Sequence, residues 1–197
     1  MRLRVIAGEF RSRLLKTVPG LETRPTPDRL RETLFNVLSP MIEGTVFVDA
    51  YAGTGAVGIE ALSRGARRAV FVERGRAAVE VIRDNLASLG VADRAEVFTG
   101  KALPVLERVE ADIVFIDPPY ELVKEYKEAL AVLGERAPGL AIVQHAFRQA
   151  LEADYGRLHR TRVLRQGDNA LSFYSAANSG GGSAAGSTDE DADGTLR

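Results

Sequence analysis

Apolar runs of the buried-strand type alternate with amphipathic segments from Thr45 onward. The pattern predicts strands at "TVFVDA", "RAVFVER", "RAEVFTG", "DIVFIDPPY" and "GLAIVQH", and helices at "AVGIEALSRGA", "AAVEVIRDNLASLG", "LPVLERVEA" and "VKEYKEALAVLGE". Two further β runs flank Gly167-Asp168 with no helix between them, which predicts an antiparallel hairpin at one edge. The fold class is therefore α/β: a Rossmann-like, mostly parallel seven-stranded sheet.

Two elements are predicted ahead of this alternation. The β-like runs "LRVIAGEF" and "RLLKTV" predict a short N-terminal β-hairpin over residues 3–18. "RPTPDRLRETLFNVLSP" predicts a helix with Thr26 as its N-cap and Pro27 in its first turn. Arg29, Arg31 and Glu32 fall on the polar side of this helix, and we expect Phe98 and Phe115 in the core.

Composition narrows the class of protein. The chain is 45% hydrophobic and 27% charged, as in soluble globular domains. It has no apolar run long enough for a membrane span and no signal-peptide pattern, so we expect a cytoplasmic protein. The absence of cysteine excludes disulfides, thiolate metal sites and cysteine nucleophiles. With two histidines far apart in sequence, we expect no metal site.

Charge is distributed unevenly along the chain. Residues 1–31 contain eight basic and three acidic residues. From residue 178 the chain is rich in Gly, Ser and Ala and then acidic, which predicts disorder. We therefore expect three parts: a basic N-terminal extension (1–27), an α/β domain (28–176) and a disordered acidic tail (177–197).

A glycine-rich loop follows the first predicted strand of the sheet. "DAYAGTGAVGIEA" begins at Asp49 and spaces Gly53, Gly55 and Gly58 as G-x-G-x-x-G. The next strand ends in Glu73, where a carboxylate can accept both hydroxyl protons of a ribose. This pattern allows either a nicotinamide dinucleotide or S-adenosylmethionine. We expect Gly58 to serve helix–strand packing.

Two features favour S-adenosylmethionine. Asp49, four residues before Gly53, would repel a pyrophosphate but attract a sulfonium or ammonium group. The second feature is "DPPY", Asp117 to Tyr120, at the end of the fourth strand. Its two prolines make the loop rigid, and an aspartate and an aromatic ring are left at the carboxyl edge of the sheet, where such folds bind ligands.

The DPPY pattern suits methylation of an amine on a planar ring. The lone pair of such an amine is delocalised, and hydrogen bonds to the Asp117 carboxylate and the Pro118 carbonyl would make it available for attack. Tyr120 would stack on the ring and orient it. Methylation of a base carbon through a cysteine adduct is excluded, because the chain has no cysteine.

These motifs, with "RVIAGEFRSRLL" and "RPTPDRLRETLFN", resemble the bacterial 16S ribosomal RNA guanine-N2 methyltransferases of the RsmD family, from about Arg2 to Tyr174. The glycine loop is general to S-adenosylmethionine enzymes, and related DPPY tetrapeptides occur in DNA adenine and protein glutamine methyltransferases. The N-terminal blocks are the specific part. The resemblance implies S-adenosylmethionine as cofactor, 16S rRNA in a partly assembled small subunit as partner, and we expect a monomer.

The resemblance also implies roles for individual residues. The cofactor would be bound by Asp49, Ala52, Gly53, Gly55 and Glu73, and the guanine by Asp117, Pro118, Pro119 and Tyr120. Arg24 and Thr26 would face the active site. For an enzyme that acts on RNA, the charges of Arg2, Arg4, Arg11 and Arg13 favour contacts with RNA phosphates, and a solvated face of the hairpin is the alternative. The family often has an acidic or amide residue where this chain has Lys101, so we expect the backbone of Lys101 and Ala102 to contact adenine.

Three alternatives remain open at this point. A DNA adenine-N6 methyltransferase would share DPPY, although a separate target-recognition domain is not evident. A catalytically silent RNA-binding assembly factor could keep the fold, although Asp49, Glu73 and DPPY are intact. An NAD oxidoreductase is disfavoured by Asp49.

Overall fold

The computed structural model describes residues 3–18 and 28–176. Outside these residues lie Arg2, Arg24, the acidic tail that the sequence predicts, and Thr26, which is the predicted N-cap of the first helix. Among the described helices, none combines the length and the apolar character needed to cross a bilayer.

A central sheet with helices on both faces organises the described chain. The strands are β1 (Val46–Asp49), β2 (Arg68–Glu73), β3 (Ala95–Thr99), β4 (Ile113–Ile116), β5 (Leu140–Ala146), β6 (Asp154–Tyr155), β7 (Leu158–Gln166) and β8 (Asn169–Ala176). The helices are α1 (Asp28–Leu38), α2 (Ala56–Ser63), α3 (Arg76–Leu89), α4 (Leu103–Leu106) and α5 (Val123–Arg136), and a short 3₁₀ turn spans Ala92–Arg94.

The strand order explains where a ligand can bind. The order is β3-β2-β1-β4-β5-β8-β7-β6; β1 to β5 pair in parallel, and β7 and β8 join antiparallel, as the sequence predicted. The direction of winding reverses between β1 and β4. This reversal opens a crevice at the carboxyl ends of these two adjacent strands.

The predicted and observed elements differ in two places. The sheet has eight strands instead of seven, because the two-residue β6 pairs with the start of β7 and is too short for any periodic signal. The helix predicted from "LPVLERVEA" contains only Leu103–Leu106.

Two side chains contradict the predicted burial. Arg31 was expected on a polar face, but it is fully buried and its Nη2 donates to the Arg4 carbonyl oxygen at 2.7 Å. The N-terminal segment packs over α1 there and removes the guanidinium from solvent. Phe98 was expected in the core but is 39% exposed, since β3 is an edge strand. Phe115, on the central β4, is buried as predicted.

The N-terminal segment, residues 3–18, is an irregular hairpin with a single antiparallel bridge between Arg4 and Leu14. Its buried side chains pack in the same apolar cluster as α2 and α3: Leu3, Val5, Phe10 and Leu15. Gly8 has φ +83°, and a Cβ added there would lie 1.9 Å from the Ser63 carbonyl oxygen. The glycine in "RVIAGEF" is therefore required for close approach to α2.

Candidate active site

Three acidic side chains come from the carboxyl ends of three neighbouring strands. Asp49 is the last residue of β1, Glu73 is the last residue of β2, and Asp117 follows β4. Because β1 pairs with both β2 and β4 in parallel, the loops after these strands meet at one edge of the sheet. Asp49 and Asp117, 68 residues apart in sequence (117 − 49), thus belong to one crevice.

The carboxylate of Glu73 holds the glycine loop in place. Its Oε2 accepts the N–H of Gly53 at 2.8 Å, and its Oε1 accepts the N–H of Gly75 at 2.7 Å. A carboxylate offers about four acceptor positions, so further donors such as ribose hydroxyls can still be accepted. Glu73 therefore both fixes the loop and presents acceptors at the end of β2.

The glycines of the loop have different reasons to be glycine. Gly53 has φ +54°, and a Cβ there would meet nothing within 4 Å, so the peptide faces open space. Gly55 has φ +79° and precedes α2. A Cβ at Gly58 would lie 2.3 Å from Cε1 of Phe71, which confirms the predicted role in helix–strand packing.

Asp49 is a buried carboxylate. One of its oxygens accepts the N–H of Gly58, in the first turn of α2, at 3.0 Å. Burial raises the pKa of Asp49 to about 7; the Gly58 N–H opposes this shift, and the negative charge of Glu73 adds to it. A cation bound nearby would favour the ionised form.

The geometry fits S-adenosylmethionine. Two carboxylates face the loop: Asp49, whose pKa is raised by burial, and Glu73, which offers acceptors for hydroxyl groups. The open space at Gly53 lets a ligand approach the backbone. A pyrophosphate on the glycine loop would be repelled by the ionised form of Asp49.

The proposed adenine contacts lie after β3. Lys101 is exposed and Ala102 is buried. The Ala102 carbonyl accepts the N–H groups of Val105 and Leu106, both at 3.0 Å, in the first turn of α4. Since both lone pairs of that oxygen are used, it is a poor acceptor for an adenine amino group.

The DPPY loop, residues 117–120, is held by two phenol groups. Tyr126 on α5 is fully buried, and its Oη donates to the Pro118 carbonyl at 3.0 Å. Burial raises the pKa of Tyr126, and the Asp117 charge adds to the effect, so the phenol stays protonated. The Oη of Tyr120 lies 2.5 Å from Oδ1 of Asn169, at the start of β8. Asp117 is half-buried, Pro118 is buried, and Pro119 and Tyr120 are exposed.

Sequence reasoning missed three residues of the site: Tyr126, Asn169 and Asn85. Tyr126 carried a weak signal, since it is an aromatic residue soon after the DPPY loop on the apolar face of a helix. Asn169 lies 49 residues from its partner, and no local pattern indicates the contact.

Asn85 of α3 joins the glycine loop to the N-terminal segment. Its Oδ1 accepts the N–H of Lys16 at 2.8 Å, and its Nδ2 donates to the Lys16 carbonyl at 3.2 Å. The same Nδ2 donates to the carbonyl of Thr54, between Gly53 and Gly55, at 3.3 Å. One buried side chain thus contacts both segments.

The predicted RNA-contacting arginines within the described residues are all exposed: Arg4, Arg11 and Arg13. Arg13 is not fully available, because its Nη2 donates to the Ser88 carbonyl near the end of α3 at 2.8 Å. Glu60, buried on α2, accepts the N–H groups of Ile6 and Ala7 at 2.8 and 3.0 Å and so fixes the backbone that carries these arginines.

Known proteins share this architecture. The family model described as Conserved hypothetical protein 95 (Cons_hypoth95) matches residues 3–175. The chain is 34% identical to YlbH of Bacillus subtilis over 181 residues, which are 87% of this chain and 98% of that protein. It is 42% identical to the ribosomal RNA small subunit methyltransferase D of Escherichia coli over 121 residues, which are 60% of this chain and 61% of that protein.

A solved structure agrees with the sequence relatives. Escherichia coli yhhF superposes on this chain with a TM-score of 0.76 and 35% sequence identity. The superposition covers 89% of this chain and 98% of yhhF. The match to the family model extends over nearly the whole described chain and includes the glycine loop, the DPPY loop and the N-terminal segment. The chain therefore belongs to the Conserved hypothetical protein 95 family, the RsmD family whose motifs its sequence carries.

Proposed function

We propose that the protein is an S-adenosylmethionine-dependent methyltransferase that acts on the exocyclic N2 amine of a guanine in 16S ribosomal RNA. The observation that carries the proposal is the adjacency of the carboxylate-bound glycine loop after β1 and the phenol-supported DPPY loop after β4. The relative from Escherichia coli, named as a ribosomal RNA small subunit methyltransferase, supports the same class of substrate.

In this proposal the glycine loop and its carboxylates bind the cofactor. S-adenosylmethionine supplies, when bound, an electrophilic methyl group on a positively charged sulfur. Asp49 supplies negative charge toward its cationic end, and Glu73 accepts hydrogen bonds from the ribose. The cofactor lies close to the backbone at Ala52, Gly53 and Gly55. Backbone N–H groups at Lys101 and Ala102 contact adenine, because the Ala102 carbonyl is engaged within α4.

The DPPY loop orients the amine that is methylated. The Asp117 carboxylate and the remaining lone pair of the Pro118 carbonyl accept its two N–H groups, so that the nitrogen lone pair points away from both. Tyr120 stacks on the guanine ring, and Pro119 keeps the loop rigid. Asp117 need not be a strong base, because the amine proton becomes acidic only as the methyl group is gained.

Exposed arginines of the N-terminal segment supply the RNA contacts in this proposal. Arg4, Arg11 and, in part, Arg13 carry positive charge on a segment that Glu60 and Ser63 fix to α2. The proposal includes Arg2, Arg24 and Thr26, which lie outside the described residues. The substrate is a partly assembled small subunit, whose RNA is still accessible.

The test is methylation of small ribosomal subunits from a strain that lacks the protein, with S-adenosylmethionine labelled in its methyl group. Digestion of the RNA to nucleosides identifies the product, and we expect labelled N2-methylguanosine. Labelled N6-methyladenosine would overturn the guanine assignment. Tight binding to the subunit without any labelled nucleoside would favour the silent assembly factor.

A further inference from the structure

A second exposed aromatic ring lies at the edge of the sheet that carries the DPPY loop, and the proposed reaction does not use it. Phe147 directly follows β5 and is 41% exposed. The guanidinium carbon of Arg165, on β7, lies 4.0 Å from the centre of its ring. Arg165 covers one face of the ring, so the exposed area lies on the rest of the phenyl group. We call this pair the Phe147–Arg165 stack.

The turn between β7 and β8 holds both members of the stack. The N–H of Phe147 donates to the Asp168 carbonyl at 2.8 Å, and Nε of Arg165 donates to the Gly167 carbonyl at 3.0 Å. The backbone of Phe147 and the guanidinium of Arg165 are therefore both fixed to this turn, and the guanidinium lies against the ring, which lowers the entropic cost of binding.

The stack is attached to the same part of the sheet as Tyr120. The Oη of Tyr120 lies 2.5 Å from the side chain of Asn169. In the β5–β8 ladder Asn169 pairs with Ala146, the residue before Phe147. The two exposed rings are thus anchored at neighbouring positions of one ladder.

The surroundings of the stack are suited to a polyanion. Strand β7 carries Arg160, Arg162 and Arg165 and no acidic residue, and Arg148 follows Phe147. Within residues 3–18 and 28–176, neither Arg148, Arg162 nor Arg165 forms an ion pair with a carboxylate. Positive charge is therefore concentrated on β7 and directly after β5. Two acidic residues, Glu121 and Asp168, lie on the adjoining loops.

We propose that the Phe147–Arg165 stack binds the base of a nucleotide that flanks the target guanine in single-stranded RNA. This inference rests on the proposed function. An enzyme that modifies a base must take it out of its helical stack, and the flanking bases then lose a stacking partner. Aromatic rings and arginine planes are the surfaces on which unpaired RNA bases stack. Tyr120 takes the target base, and the stack takes its neighbour.

The experiment compares steady-state methylation of undermethylated small subunits by the full-length wild type and variants. We expect Phe147→Ala to raise KM for the subunit roughly tenfold, the typical loss of one stacked base. The value of kcat at saturating RNA and the Kd for S-adenosylmethionine should stay unchanged. Phe147→Leu should behave like Phe147→Ala, and Phe147→Tyr should behave like the wild type, because an aromatic face is required.

Phe98→Ala is the matched control, since Phe98 is equally exposed at 39% but lies on the opposite edge strand, β3. If Phe147→Ala has no more effect than Phe98→Ala, or if leucine restores full affinity, the stack does not bind a base. Affinity is also measured on protein-free 16S rRNA. A loss confined to assembled subunits would show that this face contacts a ribosomal protein and would overturn the inference.

Salt dependence tests the arginine separately. We expect Arg165→Gln to lower the slope of log affinity against log salt by about one, as for one lost phosphate contact. Arg67→Gln is the control, because Arg67 precedes β2 at the opposite end of the sheet. An unchanged slope in Arg165→Gln would show that Arg165 does not contact the RNA. A wild type without methyl transfer would overturn the proposed function, whereas an active wild type matched by Phe147→Ala would overturn only the stack.

Discussion

The two loops of the candidate site meet at one edge of the sheet but are held in opposite ways. In the glycine loop, backbone N–H groups donate to carboxylates: Gly53 to Glu73, and Gly58 just beyond the loop to Asp49. In the DPPY loop, the support for Pro118 comes from a phenol that donates to its backbone carbonyl, and Tyr120 is held through its own phenol. One loop depends on negative charge, and the other depends on neutral donors.

This difference predicts which loop responds to pH. Burial raises the pKa of Asp49 to about 7, within the range of ordinary assays. Burial also raises the pKa of Tyr126, which moves its titration further above that range. Changes in pH near neutrality should therefore act on the glycine loop and its proposed cofactor, while the DPPY loop keeps its geometry.

The largest effect is expected at Asp117. Asp117→Ala removes an acceptor for the target amine, and we expect kcat to fall on the order of a thousandfold, as for loss of a positioned catalytic group. The Kd for S-adenosylmethionine, measured by equilibrium dialysis, should change little, because the glycine loop is separate. Asp112→Asn is the control at the other end of β4, where the carboxylate accepts the N–H of Val46. Full activity in Asp117→Ala would remove its catalytic role.

The second prediction tests whether the two loops act independently, by a change in the glycine loop. Glu73→Gln replaces one of two acceptors by an NH₂ group that faces a backbone donor. We expect the Kd for S-adenosylmethionine to rise roughly tenfold to a hundredfold, from the cost of an unmatched donor at a half-buried position. The Kd for RNA should remain constant. Glu96→Gln, in the exposed ion pair with Arg68, should leave both unchanged. Weaker RNA binding in Glu73→Gln would show that the loops are not independent.

The third prediction concerns the pH response of Asp49. Its folded-state pKa lies above the unfolded value of 3.8, so the folded protein retains a proton that the unfolded chain releases. The free energy of unfolding without ligand should therefore fall as pH rises from about 4 to about 7 and then level off, with a total change on the order of 4 kcal/mol at most. Asp49→Asn should flatten this decrease in urea titrations, and equal slopes in the two proteins would contradict the assignment.

Cofactor binding should show the opposite sign. A cation favours ionised Asp49, so affinity for S-adenosylmethionine should rise with pH through about 7 in the wild type relative to Asp49→Asn. Calorimetry in buffers of different ionisation enthalpy should detect proton release on binding near pH 7, and the variant should lack it. Identical proton release in both proteins would assign the titration to another group.

The smallest effect is expected from Tyr126→Phe, which removes only the hydroxyl that donates to Pro118. We expect kcat to fall about fivefold, from the loss of one buried hydrogen bond, while the pH profile and cofactor Kd stay as in the wild type. Tyr174→Phe removes a similar donor, whose partner is the Glu152 carbonyl away from the site. If both variants lose stability equally but neither loses activity, Tyr126 does not position the loop.

The fold and the position of the glycine loop could be predicted because their determinants are local. The parallel alternation follows from apolar periodicity, and Asp49, the glycines and Glu73 lie within one β-α-β unit. The DPPY loop could be located for the same reason. A two-residue strand such as β6 leaves no periodic signal, so its presence could not be predicted.

What could not be predicted depends on tertiary contacts. Asn169 reaches Tyr120 only because β8 returns beside β5, and Arg31 is buried only because the N-terminal segment crosses α1. The exposure of Phe98 could not be predicted, because no local pattern in the sequence indicates that β3 is an edge strand. In each case the error concerns which element becomes a neighbour, while the identity of the element itself was correct.

The contact of Asn85 with both Lys16 and Thr54 limits how this protein can be redesigned. In the proposed function the N-terminal segment carries RNA contacts, so it is the part to exchange between relatives in order to change RNA selectivity. Any exchanged segment must still present a backbone N–H and carbonyl to Asn85. A graft that fails to do so leaves the buried Oδ1 of Asn85 without its donor beside the glycine loop, and we expect weaker cofactor binding even where the proposed RNA contacts are kept.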